Sequence, residues 1–172
     1  MNLDEVFRFV APAVRDAARR AAAQLAHLGI RHALAGGLAV GAHGYIRATS
    51  DVDFLVGEEA FEHHGTLVTF RSGVPIEVDG IRIDYLSPVA LGAHVEDALN
   101  HPTISEDISV VPVEVLIYMK LKARRRKDLV DVIELVKAGA DVKQVRIYLG
   151  HHAQALLPAF NELVDEALNA DE

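Results

Sequence analysis

The sequence contains no cysteine, which removes a disulfide framework and cysteine-ligated metal centres from consideration. No uncharged stretch reaches the roughly 18 apolar residues that a membrane span needs. No early apolar run carries a basic start and a small-residue cleavage site. The expectation is a soluble cytoplasmic protein with no membrane partner. Basic charge is also scarce: 17 Lys and Arg stand against 25 Asp and Glu, a formal net charge of −8. Nonspecific coating of nucleic acid draws its affinity from phosphates neutralised by Lys and Arg, so that role is disfavoured. A small nucleotide, or an RNA end held by a local basic patch, remains open. At 172 residues the chain is the size of one domain, or of one domain with a helical extension, and one active site is expected.

Apolar positions recur three or four apart from Leu3 to about Leu28, which predicts one amphipathic helix ended by Gly29. His32–Ala35 reads as a short strand and Leu38–His43 as a turn or two of helix, with Gly36-Gly37 at the junction. Strands are expected at Asp51–Val56, Leu67–Phe70, Ile76–Val78, Ile81–Leu86 and Ile108–Val111. Gly73-Val74-Pro75 and Asp79-Gly80 supply turns, the latter a hairpin signal. The stretch Glu96–Ser105 carries no clear pattern. Pro112 opens a helix to about Ala123, and Lys127–Lys137, Val142–Leu149 and Gln154–Leu168 look helical, the last with Leu156, Leu157, Phe160, Leu163 and Leu168 to bury. The expected class is α+β, a small mixed β-sheet flanked by helices, with a core over residues 1–123 and a C-terminal helical region over 124–172 packed on it. Ala123–Lys127 is the joint.

Residues two apart on a strand share a face, so Asp51 and Asp53 present two carboxylates side by side while Val52 and Phe54 face the core. Carboxylate oxygens are what Mg²⁺ takes, usually one or two of them completed by phosphate oxygens and water. An exposed strand face would carry the same pair. Asp84 lies inside the apolar run Ile81–Leu86, where a charge needs a partner or a metal to offset its desolvation. Ile83 and Tyr85 face away from it, and Ile81 is read as sharing its face; Asp79 and Glu77 read as turn and edge residues.

Gly36 and Gly37 lack a Cβ, so backbone N–H groups there can approach a phosphate at the start of the following helix. Residues 120–127 carry six basic side chains in eight, a local field suited to a polyphosphate and equally to a solvated helix end. Arg47 could clamp a phosphate bidentately or pair with Asp51 or Asp53. His43 is read as packing or hydrogen bonding at its helix end. The pairs His63-His64 and His151-His152 lie at no known ligand spacing and are read as surface residues.

Gly36-Gly37, then His43-Gly44, Arg47, Thr49 and finally Asp51-Val52-Asp53 form one short strand–helix–strand unit. This string resembles the signature of the nucleotidyltransferase superfamily, the DNA polymerase beta-like enzymes. It is most similar to the minimal and AbiEii-type toxin nucleotidyltransferases. Lys120-Leu121-Lys122-Ala123 and Arg125-Arg126-Lys127-Asp128-Leu129-Val130-Asp131 resemble that family's downstream segment. The resemblance implies a metal-dependent transfer of a nucleoside monophosphate from a nucleoside triphosphate, with two Mg²⁺ ions, or Mn²⁺, on Asp51, Asp53 and Asp84. It implies nucleotide contacts from Gly36, Gly37, Arg47, Thr49 and Lys120, and a role for Asp128 in holding the site together. Many similar proteins have Ser after the first Gly, where this chain has Gly37; others share the Gly-Gly.

Two other readings stand beside this one. A catalytically inert nucleotide-binding or partner-binding member, for example of a toxin–antitoxin pair, would keep the fold without turnover. A glycosyltransferase also uses Asp-x-Asp on a nucleotide sugar, but it leaves the Gly-Gly helix without a task. RNA, a protein hydroxyl or a small molecule each fit as acceptor, and an antitoxin or a second copy of the chain fits as partner.

Overall fold

The computed structural model describes residues 1–61 and 76–170. The expected strand at Leu67–Phe70, the turn at Gly73-Val74-Pro75 and the pair His63-His64 lie outside the described residues.

The single helix expected from Leu3 to Leu28 is two helices, α1 (Leu3–Phe9) and α2 (Pro12–His27). The apolar period runs through the break, but Pro12 cannot continue a helix and pushes the residue before it out of the helical region. Ala11 is at φ −55°, ψ 139°, and Pro12 takes the first turn of α2, where its missing N–H costs nothing. Gly29, at φ +69°, ends α2.

β1 (His32–Ala35) runs into α3 (Gly36–Ala42), followed by β2 (Val52–Val56). β3 (Ile76–Val78) and β4 (Ile81–Leu86) form the expected hairpin, with Asp79 and Gly80 both at positive φ as a two-residue turn of this kind requires. Two one-turn helices, α4 (Pro88–Leu91) and α5 (Asp97–Asn100), precede β5 (Thr103–Ser105) and β6 (Ile108–Val110). The patternless stretch Glu96–Ser105 thus holds α5 and β5, elements of three or four residues that are too short to show a period. The chain closes with α6 (Val113–Ala123), α7 (Arg126–Lys137), α8 (Val142–His152) and α9 (Leu157–Asn169).

The sheet is mixed, in the order β3-β4-β2-β1-β6-β5 among the described residues. β1 pairs antiparallel with β2, β2 parallel with β4, and β1 parallel with β6. Helices flank it, and the central strands bury Leu34, Phe54 and Leu55 completely. This is the expected class, a small mixed sheet with helices around it and a helical C-terminal part. α7 packs on α6 and α9, and α8 packs on α6. The buried stripe of α9 is Phe160, Leu163, Val164 and Ala167; Leu168, expected to bury, falls off that stripe and is exposed. At the seam, His94 stacks edge-on with Tyr118 and Tyr148, and the ring of His152 lies 4.5 Å from it. No described helix is long and apolar enough to cross a membrane.

Candidate functional site

The site starts from strand register. Ala35, the last residue of β1, stands opposite Asp53 on β2, and Asp53 stands beside Asp84 on β4. The chain must leave β1 past the Asp53 side chain, which it does through Gly36 at φ +60°. A Cβ on Gly36 would lie 1.9 Å from Asp53 Oδ2 and 2.9 Å from Asp53 Cβ, so only glycine lets the backbone pass. A Cβ on Gly37 would meet Thr49 Oγ1 at 2.6 Å and Arg47 Nη1 at 3.3 Å. Thr49 therefore sets its hydroxyl against the space that a serine side chain at position 37 would need.

Asp53 is half-buried, and among the described residues its carboxylate has no hydrogen bond or ion pair. Burial pushes its pKa above the ordinary carboxylate value, the neighbouring charge of Asp84 adds to this, and Lys120 opposes it. Asp51 precedes β2 and accepts a hydrogen bond from the Ser50 hydroxyl at 3.2 Å. Asp84 pairs with Arg82, whose Nε lies 3.1 Å from Oδ2 and whose Nη2 lies 3.4 Å from Oδ1. The two-residue period of a strand sets Arg82, and not Ile81, on the face of Asp84. Among the described residues no three acid or histidine side chains are gathered closely enough to hold a metal unaided. The three acids are neighbours along a cleft, two of them with partners of their own.

Opposite the acids lies a charged network between helices. Lys120 of α6 donates to Asp128 at 3.1 Å and pairs with Asp131 at 2.8 Å, both on α7. Arg47 grips Asp131 with two N–H groups at 2.7 and 2.8 Å. Arg125 reaches Asp128 through Nε at 2.7 Å, and its own backbone N–H donates to the same carboxylate at 3.2 Å, capping the start of α7. Arg124, at φ +52°, turns the chain between α6 and α7 so that the two helices face each other here. Asp128 and Asp131 are 0% and 1% exposed and Lys120 is 6% exposed. Burial opposes the charge on both aspartates, yet Arg125 and Lys120 hold Asp128 below the ordinary carboxylate range, and Arg47 and Lys120 do so for Asp131.

Arg47 is thus bound neither to Asp51 nor to Asp53, the two acids weighed beside a phosphate as its partners. Asp131, three residues along α7 from Asp128 and on the same face, offers a fully buried carboxylate, whereas Asp51 and Asp53 are only partly buried. His43 hydrogen bonds through Nε2 to the Val111 carbonyl at 2.8 Å, and burial holds its pKa below the usual histidine value.

A cleft of about 550 Å³ is lined by Gly36, Gly37, Arg47, Thr49, Asp51, Asp53, Asp84, Lys120 and Asp128, all nine residues singled out from the sequence. Leu86, Leu91, Leu116 and Met119 add apolar side chains to its lining. Sequence reasoning assigned no role to Asp131, Arg82 or Arg125. The i, i+3 spacing of Asp128 and Asp131 and the i, i+2 spacing of Arg82 and Asp84 were the signals available for the first two.

The sequence matches no protein-family model and no curated protein. Among solved structures the chain is similar to an antigenic nucleotidyltransferase-like protein from Paracoccidioides brasiliensis, at 14% identity and a TM-score of 0.47 over 86% of this chain and 92% of that one. That likeness is too distant to bear on the activity of this chain.

Proposed function

We propose that this protein is a metal-dependent nucleotidyltransferase that moves a nucleoside monophosphate from a nucleoside triphosphate to an acceptor hydroxyl. The observation that carries the reading is Asp53: a half-buried carboxylate, without a partner among the described residues, packed on a positive-φ glycine and in register with a second acid on the next strand. A folded protein that keeps such a charge gains from a cation there.

The residues fit Mg²⁺, with Mn²⁺ as substitute. The donors are hard carboxylate oxygens, and Mg²⁺ needs only one or two from the protein when phosphates supply others. Asp51, Asp53 and Asp84 would hold the metal, two ions in the full complex. Bound there, it would neutralise the charge that develops on the attacking and leaving oxygens of an in-line displacement.

The protein's own groups have the remaining tasks. Gly36 and Gly37 leave backbone room for the triphosphate, and Thr49 offers a hydroxyl beside it. Lys120 and Arg47 lend a positive field from the cleft wall, held by Asp128 and Asp131. Attack on the α-phosphate expels pyrophosphate, and the acceptor proton leaves near Asp84. The two aspartates of the Arg-x-Lys-Asp-x-x-Asp segment both hold site cations, which supports the finer likeness to the AbiEii-type toxin nucleotidyltransferases. A cytoplasmic location and an antitoxin or homodimeric partner belong to the same proposal.

Isothermal titration of the four ribonucleoside triphosphates with Mg²⁺ tests it. Binding by the wild type that is lost in the Asp51→Ala/Asp53→Ala variant supports the site. Binding by neither rejects it in favour of an inert, partner-binding protein.

A further inference from the structure

Arg82 and Asp84 lie two apart on β4, on one face of the strand, with the guanidinium fork laid on the carboxylate at 3.1 and 3.4 Å. Asp84 is also the register neighbour of Asp53, so without Arg82 two like charges would face each other across the parallel pair. The Arg82 side chain is 57% exposed and that of Asp84 17%, and an ion pair whose cation is so open to water is weak and easily exchanged. A second carboxylate waits nearby. Glu77 on β3 stands directly opposite Arg82 in the antiparallel ladder, a spacing at which cross-strand side chains touch. Glu77 is exposed and has no ion pair or hydrogen bond among the described residues.

We propose that Arg82 is an exchangeable counterion: it holds Asp84 while the site is free of metal and moves to Glu77 when Asp84 takes up a cation. This rests on the reading of Asp51, Asp53 and Asp84 as cation-binding acids. A cation and a guanidinium compete for the same two oxygens, so Arg82 sets a threshold for loading the site. Glu77 lowers that threshold by giving the displaced guanidinium a partner. Arg82 is therefore a positioning residue, acting through Asp84.

The test is Mn²⁺ binding to the full chain without nucleotide, followed by the electron paramagnetic resonance signal of the free ion. Arg82→Gln is expected to tighten binding about two- to fivefold, the span that an exposed ion pair supports. Arg82→Lys keeps the charge but loses the fork, and is expected to tighten it as well. Glu77→Gln is expected to weaken binding in the wild-type background and to have no effect in the Arg82→Gln background, because Glu77 acts only through Arg82. Unchanged or weaker binding by Arg82→Gln overturns the proposal. So does a Glu77→Gln effect of equal size in both backgrounds, which would mean a plain electrostatic field. The Asp51→Ala/Asp53→Ala variant separates the two levels: wild-type Mn²⁺ affinity there would sink the acid site itself, whatever Arg82 does.

Discussion

The network under the cleft holds three cations, Lys120, Arg47 and Arg125, and two anions, Asp128 and Asp131. Asp131→Asn leaves three positive charges on one carboxylate and takes the only ion-pair partner that Arg47 has among the described residues. Lys120→Met removes a cation that touches both aspartates, but leaves two guanidinium–carboxylate pairs in balance and fills the space with apolar atoms. Breaking a buried pair from one side costs about 3–5 kcal/mol, because the remaining charge stays buried without its partner. Asp131→Asn is expected to cost that amount. At about 2–4 °C per kcal/mol for a chain of this length, Tm should fall by about 6–20 °C. Lys120→Met should cost no more than about half as much. Thermal melts by far-UV circular dichroism at neutral pH, with guanidinium titrations alongside, measure both. The sign with pH follows from the depressed pKa of Asp131. Its stabilisation is present above the ordinary carboxylate value, about 3.9, and is lost as pH falls below that through the folded value. Asp131→Asn should therefore also flatten the acid limb of the stability profile. If Lys120→Met proves as costly as Asp131→Asn, net charge is not what decides the stability of this network.

Two further outcomes follow from the glycine and the acid it packs on. Gly36→Ala should cost roughly 1–3 kcal/mol, since the residue would hold a left-handed conformation with its Cβ against Asp53. Mg²⁺ bound at the acids is expected to raise the Tm of the wild-type chain, and that rise should disappear in Gly36→Ala; an unchanged Mg²⁺ response in a scanning-fluorimetry melt would detach Gly36 from the metal site. Asp53→Asn should raise Tm in chelator at neutral pH. The raised pKa of Asp53 means that its charge destabilises the fold above the folded value, and this cost is absent below the ordinary carboxylate pKa, so the gain should vanish in acid. A gain that persists in acid would point to packing instead of charge.

The strands that carry the acids were legible because two independent signals agreed there: a two-residue alternation over Asp51–Phe54 and Ile81–Tyr85, and turn residues at Gly57 and Asp79-Gly80. The nine cleft residues were legible as a set because most of them sit near element ends: Gly36 and Gly37 at the start of α3, Asp51 and Asp53 at the start of β2, and Lys120 and Asp128 on either side of the turn between α6 and α7. What escaped was of two kinds. Pro12 broke a helix inside an unbroken apolar period, a local covalent restriction that hydrophobic patterning does not register. The partner of Arg47 escaped because it lies across the fold: Arg47 finds Asp131 84 residues away, and nothing local to Arg47 favours it over Asp51. Arg82 was different, since its two-residue offset from Asp84 was in the sequence from the start.

Buried ion pairs are weak evidence for stability, because well-packed apolar side chains of similar volume often serve as well. The network here does something that apolar side chains could not: it fixes the direction of cations from separate parts of the chain toward one cleft wall. Arg47 comes from the segment between α3 and β2, Lys120 from the last turns of α6, and Asp128 and Asp131 from the first turns of α7. The left-handed Arg124 is the pivot that lets the same short stretch supply the lysine and its two carboxylates. A boundary drawn between residues 123 and 124 therefore passes through the site: Lys120 falls on one side of it, and both of its partners fall on the other. The helical C-terminal region supplies the anions that hold Lys120 and Arg47 against the acids of the sheet. An isolated stretch of residues 1–123 would keep Asp51, Asp53 and Asp84 but lose what orients the positive side of the cleft.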